Sequence, residues 1–148
     1  MAWTFVRNNL YLDFFLFLAG EDDVLRGPAG EGRVAAVAQD DIAAALVGIL
    51  EDPTAHVSQT YSLTGPAALT LHEAAEVMSE RLGKAFRFQD ETIEEAYASR
   101  ASYGAPSWQV DAWVSTYSAI RNSELAGVTE HVERLTGRAP MSLSELLA

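Results

Sequence analysis

An alternation of short β-prone runs with helical segments is the feature that most constrains how this chain can fold. The runs Trp3–Arg7 and Gln59–Leu63 have the composition and patterning of strands. Between them, Asp40 and Asp41 suit the start of a helix. Apolar residues then recur with a period of 3.6 residues: Ile42, Leu46, Ile49 and Leu50. This order of strand, helix and strand predicts an α/β fold.

The second half of the sequence is mainly helical. Thr70 with Glu73, and Ser142 with Glu145, form capping boxes that open two helices. Gly83 is a natural end for the first of these helices. The remaining predicted elements are strands over Arg33–Ala38 and Ala85–Phe88, and helices over Ile93–Ser102, after Pro106 and around Val132–Leu135.

The run Leu10–Ala19 is strongly apolar and lies near the start of the sequence. Its length of 10 residues is too short to span a bilayer, which takes about 20 residues, and Asp13 interrupts it. A secretory signal also has a basic flank, and only Arg7 precedes this run. We therefore predict that Leu10–Leu18 is a helix buried on nearly all sides, and we expect a cytoplasmic protein.

The charge balance limits the choice of partners. The sequence has 10 Lys and Arg against 21 Asp and Glu, a formal net charge of −11. Because no basic face is available for phosphate groups, we expect no nucleic acid and no anionic membrane as partners. Cysteine is absent, which excludes a disulfide framework and thiolate chemistry.

Several common kinds of site find no support in the sequence. The three histidines, His56, His72 and His131, lie far apart and match no metal-binding motif, so no metal is expected. No G-x-S-x-G nucleophile motif occurs, and no catalytic residue is assigned. The glycine-rich stretch Gly27–Gly32 runs into a strand pattern instead of a helix, and Glu31 stands where an anion would lie. We therefore interpret it as a turn and not as a phosphate loop.

Arg7, Asn8, Asn9 and Tyr11 stand where the first strand gives way to the apolar run. Polar residues at the carboxyl end of a strand in an α/β fold face the crevice where ligands bind. These residues are therefore candidates for a binding site. The alternative is structural: Asn8 caps a helix and Arg7 joins an ion pair.

A second candidate site is the turn that Tyr103 and Trp108 flank. Gly104 lies in this turn between two predicted helices, and the turn is suited to cover an aromatic ligand as a lid. The alternative is that both aromatic side chains pack in the core.

Three blocks carry a family resemblance: WTFVRNNLYLDF, GRVAAVAQDDIAAAL and TYSLTGPAALTLHEAAEVMSERLGK. Together they resemble the C-terminal half of NmrA-like, atypical short-chain dehydrogenase/reductase proteins, which include NAD(P)H-dependent quinone oxidoreductases. The resemblance implies a partial Rossmann-type fold over residues 1–148, made of the C-terminal strands of a parallel sheet and a mainly helical substrate-side lobe. It also implies that Arg7, Asn8, Asn9 and Tyr11 lie near nicotinamide or substrate.

The resemblance also sets expectations about the cofactor. The family's fingerprint, G-x-x-G-x-x-G, belongs to an N-terminal nucleotide-binding half that these residues do not include, so we expect no NAD(P)H to be bound by this chain alone. The Tyr-x-x-x-Lys pair of the wider family is also absent, because Glu80 stands four residues before Lys84, the single lysine. Atypical members commonly lack this pair, so its absence does not argue against the resemblance.

The implied function is the substrate-side portion of an NAD(P)H-dependent oxidoreductase that transfers hydride to a quinone-like or carbonyl acceptor, inactive on its own. One alternative is a non-catalytic, NmrA-type module that senses dinucleotides, and another is a truncated sequence without a separate function. In the family's sheet the first strand lies between Gln59–Leu63 and a strand of the other half. We therefore expect an exposed strand edge that pairs in a homo-oligomer or with an N-terminal-half partner.

Overall fold

Two separate pairs of parallel strands organise the structure, a computed structural model that describes all residues 1–148. The strands are β1 (Thr4–Asn8), β2 (Val24–Gly27), β3 (Gln59–Leu63) and β4 (Arg87–Asp90). The helices are α1 (Phe15–Leu18), α2 (Gln39–Glu51), α3 (Leu71–Leu82), α4 (Ile93–Arg100), α5 (Ser107–Arg121), α6 (His131–Thr136) and α7 (Leu143–Leu146), with 3-10 turns over Leu12–Phe14 and Ala101–Tyr103. The predicted α/β class is confirmed.

β1 and β3 form a parallel pair whose two outer edges differ. The pair runs from Thr4 opposite Gln59 to Asn8 opposite Leu63. On the outer edge of β3, the Ser62 amide donates to Nδ1 of His131 at 3.0 Å, and the hydroxyl of Thr129 donates to the Ser62 carbonyl at 2.5 Å. The outer edge of β1 has no strand beside it. The backbone of Ser62 on the β3 edge is therefore engaged, whereas the β1 edge has no strand to pair with.

β2 pairs with β4, although the sequence patterns predict no strand over Val24–Gly27. Val24 lies opposite Arg87, and Gly27 lies opposite Asp90. Only Val24 and Leu25 give β2 an apolar pattern, which is too short for a periodicity argument. β2 is stabilised by β4, a strand far along the chain, and the local sequence around β2 gives no indication of this pairing. The predicted strand over Ala85–Phe88 forms as β4, shifted toward the C-terminus.

The prediction of a strand over Arg33–Ala38 is wrong, although residues 34–38 are fully buried. The Val34 amide donates to Leu69, that of Ala35 to Leu125 and that of Val37 to Leu10, each at 2.9 Å. Because successive amides bond to three different segments, no continuous ladder forms and only isolated bridges remain. The apolar pattern here indicates burial without a sheet.

The predicted helices form, with one correction to a helix face. The capping boxes Thr70/Glu73 and Ser142/Glu145 both close, and Gly83 ends α3 with a φ of 65°. In α2, the inward residues are Ile42, Ala45 and Ile49. The predicted inward residues Leu46 and Leu50 are instead exposed, because α2 packs along a narrower stripe.

The apolar run Leu10–Leu18 is not buried on nearly all sides. It forms one 3-10 turn and one α-helical turn, with Leu12 and Phe15 buried in the main core. Phe14, Leu16 and Phe17 are exposed, Phe17 at 85%. Two of these, Phe14 and Phe17, line a cleft, which explains their apolar character without burial in the core. No helix in the structure has the length and apolar character needed to cross a membrane.

Candidate functional site

A cleft of about 710 Å³ lies between the segment that leads into α1 and the helices α4 and α5. Phe14 and Phe17 contribute aromatic rings from the first segment, and Tyr103, Trp113 and Tyr117 contribute rings from the helical half. Its volume is in the range of small-molecule sites, which are typically apolar with a few polar groups. The cleft is therefore suited to a flat aromatic ligand.

Two arginines line the cleft, and protein acceptors engage both. Arg26 makes a two-pronged ion pair with Asp22, with the contacts at 2.9 Å and 2.5 Å. The hydrogen bond from Arg26 lowers the pKa of Asp22 to about 2, so this carboxylate stays charged at neutral pH. The pair stiffens one side of the cleft, because a bidentate contact fixes the plane of the guanidinium group.

Arg100 is the other arginine, and it is buried. Its guanidinium group donates to Glu91 at 2.9 Å, to the Ala96 carbonyl at 2.9 Å and to the Arg26 carbonyl at 2.9 Å. It also lies 5.1 Å from the centre of the Tyr117 ring, in a cation–π contact. Arg100 therefore ties α4, β2 and α5 together behind the cleft.

The strand-end residues predicted as a site lie beside the cleft but do not line it; Leu10, between them, does. Arg7 and Asn8 are exposed, and their side chains make no hydrogen bond or ion pair, so the ion-pair alternative for Arg7 is not observed. Asn9, and not Asn8, has the structural role: its Oδ1 accepts from the Leu10 amide at 2.7 Å and its amide donates to Leu125 at 3.0 Å. Tyr11 packs its ring 5.7 Å from that of Phe14.

Of the two residues of the predicted lid, only one lines the cleft. Tyr103 lines the cleft, with its ring 6.1 Å from that of Trp113, and Gly104 follows it with a φ of 63°. Trp108 does not line the cleft and is 68% exposed. Neither residue is buried in the core, so the packing alternative is not observed for either.

Sequence reasoning missed most residues of the cleft. The sequence predicts only that Trp113 and Tyr117 lie on the helix after Pro106 and that Phe14 and Phe17 lie in the apolar run Leu10–Leu18. Arg100 gave one signal, since an arginine in the last turn of a predicted helix can join an ion pair. The acid that pairs with it, Glu91, lies in a separate segment, so the pair could not be read from spacing.

The glycine-rich stretch does not fit the diphosphate of a dinucleotide. It follows a strand, β2, but continues into an extended segment and offers no helix N-terminus. The Gly30 amide already donates to the Asp90 carboxylate at 2.8 Å, and Arg121 pairs with the same carboxylate at 2.9 Å. Within this chain, only the free side chains of Arg7 and Asn8 suit a polar ligand at the carboxyl end of a strand. No group of three or more His, Asp or Glu side chains is arranged to hold a metal.

Several known proteins with a similar sequence or structure are reductases. An NAD(P)H azoreductase from Xenophilus azovorans is 34% identical over 148 residues, which cover 98% of this chain and 51% of the relative. The crystal structure of an NADPH-dependent quinone oxidoreductase from Escherichia coli complexed with NADPH superimposes with a TM-score of 0.90 at 25% identity, over 99% of this chain and 53% of that one. The triphenylmethane reductase of Citrobacter sp. complexed with NADP(H) gives 0.84 at 28% identity, over 99% and 52%. No family model matches the chain.

The fold is that of the C-terminal half of Rossmann-like NAD(P)-binding reductases. The chain spans about half the length of the curated relatives it matches. Its sequence and fold are similar to those of NmrA-like, atypical short-chain dehydrogenase/reductase proteins, which include NAD(P)H-dependent quinone and azo reductases, as its sequence blocks implied.

Proposed function

We propose that this chain is the acceptor-binding portion of an NAD(P)H-dependent oxidoreductase and that the aromatic cleft binds the acceptor. The observation that carries the proposal is the cleft itself, about 710 Å³ and lined by five aromatic rings: Phe14, Phe17, Tyr103, Trp113 and Tyr117. The similar proteins are named for azo, quinone and triphenylmethane compounds, whose common members carry conjugated ring systems. Such molecules gain from stacking and edge contacts with aromatic side chains.

The reaction class is hydride transfer, in which bound NAD(P)H supplies the hydride. The residues of this chain would position the acceptor and exclude water from its face. Arg7 and Asn8, whose side chains are free, are proposed to face the nicotinamide end of the cofactor. The diphosphate would be held by a nucleotide-binding portion outside residues 1–148, in the same polypeptide or in a partner.

Ligand binding to the 148-residue protein tests the proposal. Equilibrium dialysis with 1,4-naphthoquinone should show saturable binding at one site, and the protein should show no NADPH-dependent reduction of the quinone. Absence of quinone binding to the folded protein would overturn the acceptor-site assignment. Reduction of the quinone by this chain alone would refute the proposal that a portion outside residues 1–148 is needed to bind the cofactor. Dinucleotide binding without turnover, by the chain or by a longer protein that contains it, would instead favour a sensing role.

A further inference from the structure

We infer that the hydroxyl group of Tyr117 donates the hydrogen bond that recognises a carbonyl oxygen of a planar, conjugated ligand in the cleft. This inference rests on the proposed function, because it takes the cleft to be the acceptor site. Aromatic walls give affinity for a flat ligand but do not fix its orientation within the plane. A directed polar group is needed for that, and the structure offers few.

Most polar side chains of the cleft are already engaged. The polar residues that line it are Arg26, Ser99, Arg100, Tyr103, Thr116 and Tyr117. The hydroxyls of Ser99 and Thr116 donate to carbonyl groups of their own helices, at 3.2 Å and 3.0 Å. The two guanidinium groups donate to Asp22 and Glu91 and to main-chain carbonyls. Among the hydroxyl groups of the cleft, only those of Tyr103 and Tyr117 have no acceptor.

The two tyrosines differ in their surroundings. Tyr103 is 70% exposed, so water competes for its hydroxyl group. Tyr117 is 7% exposed, and its hydroxyl has no carboxylate or carbonyl acceptor in the structure. Burial raises the pKa of Tyr117, against the opposing effect of nearby Arg100, so the hydroxyl keeps its proton and remains a donor at neutral pH. The hydroxyl oxygen is not among the fully buried polar atoms that lack a partner, so a ligand in the cleft can reach this donor and supply an acceptor.

Contacts with Gly27 and with Arg100 fix the position of the Tyr117 ring. A Cβ atom on Gly27 would lie 2.3 Å from Cδ1 of Tyr117, so glycine at the end of β2 is what admits the ring. The Arg100 guanidinium lies 5.1 Å from the ring centre, held by Glu91 at 2.9 Å. This positive charge polarises the phenol and strengthens the hydrogen bond that its hydroxyl donates. Arg100 is therefore a positioning residue and Tyr117 the group that contacts the ligand.

The ligand class follows from this geometry. The donor sits in an apolar, aromatic cleft, so it suits a flat ring system that carries an oxygen acceptor, such as a quinone. An oxygen that gains negative charge during reduction would accept a stronger hydrogen bond than the neutral carbonyl does. The same contact would then favour the reduced side of the reaction.

The test compares 1,4-naphthoquinone with naphthalene, which has the same ring system and no oxygen. Tyr117→Phe should weaken quinone binding to the 148-residue protein about 3- to 10-fold and leave naphthalene binding unchanged, in equilibrium dialysis. Tyr97→Phe is the matched control, because Tyr97 lies outside the cleft and donates to Asp111 at 2.9 Å; it should change neither affinity. The infrared carbonyl band of the bound quinone should shift to lower frequency in the wild-type protein and in Tyr97→Phe, and shift less in Tyr117→Phe.

Each outcome decides the matter. If neither compound binds the wild-type protein, the cleft is not an acceptor site and both the proposed function and this inference fall. If both bind and Tyr117→Phe retains the quinone affinity, or weakens both compounds alike, the inference is overturned while the cleft stands as the site. If Tyr117→Phe does not fold, the infrared band in the wild-type protein decides, and an unshifted carbonyl band overturns the inference.

Discussion

Arg100 shows how a buried charge organises this molecule at the scale of one residue. Its side chain is 9% exposed and that of its partner Glu91 is 5% exposed, so both charges have left water. Such a pair is expensive to bury and is tolerated only when further hydrogen bonds satisfy both groups. Arg100 meets this condition through two main-chain carbonyls. The exposed pair of Lys84 with Asp23, at 3.4 Å, contrasts with it.

We predict that Arg100→Met lowers the free energy of unfolding by about 3–5 kcal/mol, because Glu91 is left charged and buried without a partner. Lys84→Met, the matched removal of an exposed cation, should cost less than about 1 kcal/mol. Urea denaturation followed by circular dichroism measures both. Equal losses in the two variants would contradict the structural role of Arg100.

A second comparison between single residues uses the two residues of the predicted lid, Tyr103 and Trp108. Tyr103→Ala should weaken 1,4-naphthoquinone binding about 2- to 10-fold, because an aromatic contact of the cleft is lost. Trp108→Ala should leave binding unchanged, since Trp108 does not line the cleft. Fluorescence or dialysis titrations of the two variants measure this difference. A larger loss in Trp108→Ala would mean that the turn closes over the ligand differently.

At the scale of elements, local signals predicted most helices and three of the four strands, and they failed where an element depends on distant segments. The boxes Thr70/Glu73 and Ser142/Glu145 were readable because a cap depends on residues three positions apart. β2 and the buried segment 33–38 depend on partners far along the chain, which no local pattern records. The run Leu10–Leu18 was misjudged for a related reason: apolar residues predict contact with something apolar, and here part of that surface is a cleft.

The caps also make stability depend on pH. The pKa of Glu73 is lowered first by its hydrogen bond from Arg33 and then by the Thr70 amide; that of Glu95 is lowered by the Thr92 amide. Because these pKa values are lower in the folded state, their stabilisation is present above the unfolded value of about 4.5 and is lost as pH falls through the folded values. The free energy of unfolding should therefore decrease as the pH falls below about 4.5.

Glu73→Gln tests the pH dependence, because glutamine can keep the cap but cannot titrate. We expect a flatter fall in melting temperature between pH 6 and pH 3 than in the wild-type protein. Glu76→Gln, on the same helix and without a hydrogen bond to a cap or an ion pair, should keep the wild-type slope. An unchanged slope in Glu73→Gln would show that this cap does not contribute to acid sensitivity.

At the scale of the whole molecule, the two edges of the β1–β3 pair differ, since Thr129 and His131 contact the β3 edge and no strand lies beside the β1 edge. The parallel pattern turns the amides of Arg7 and Asn9 toward β3 and those of Val6 and Asn8 outward. We propose that the outward edge pairs with a second copy or with a nucleotide-binding portion. The exposed side chain of Phe5, on β1 itself, adds apolar surface that a partner would cover.

Two proline substitutions distinguish the role of this edge in association from the role of β1 in folding. Asn8→Pro removes an outward amide and should abolish association of the chain while the monomer still folds. Arg7→Pro removes an amide that bonds to β3 and should instead destabilise the monomer. Light scattering across micromolar concentrations, with thermal melting, distinguishes the two. A wild-type protein that stays monomeric over this range, with cooperative unfolding, would contradict self-association.

The family blocks, the helical second half and the exposed edge could thus be read from the sequence, whereas the cleft could not. Its lining comes from α1, β2, α4 and α5, and their approach to one another depends on buried contacts such as Arg100 with Glu91. Four of the site residues named from the sequence lie at the carboxyl end of one strand, and of the two in the predicted lid only Tyr103 lines the cleft. The carboxyl end of a strand can be located in the sequence, because it follows a run of β-prone residues. A cavity between helices has no comparable sequence pattern.

The central claim, that this chain supplies the acceptor side of a reductase, is tested most directly by a chimaera. The nucleotide-binding half of the Xenophilus azovorans azoreductase would be joined ahead of Trp3, and NADPH oxidation would be followed with 1,4-naphthoquinone as acceptor. We predict quinone-dependent oxidation of NADPH by the chimaera and none by either half alone. A folded chimaera that binds both NADPH and the quinone yet transfers no hydride would contradict the claim.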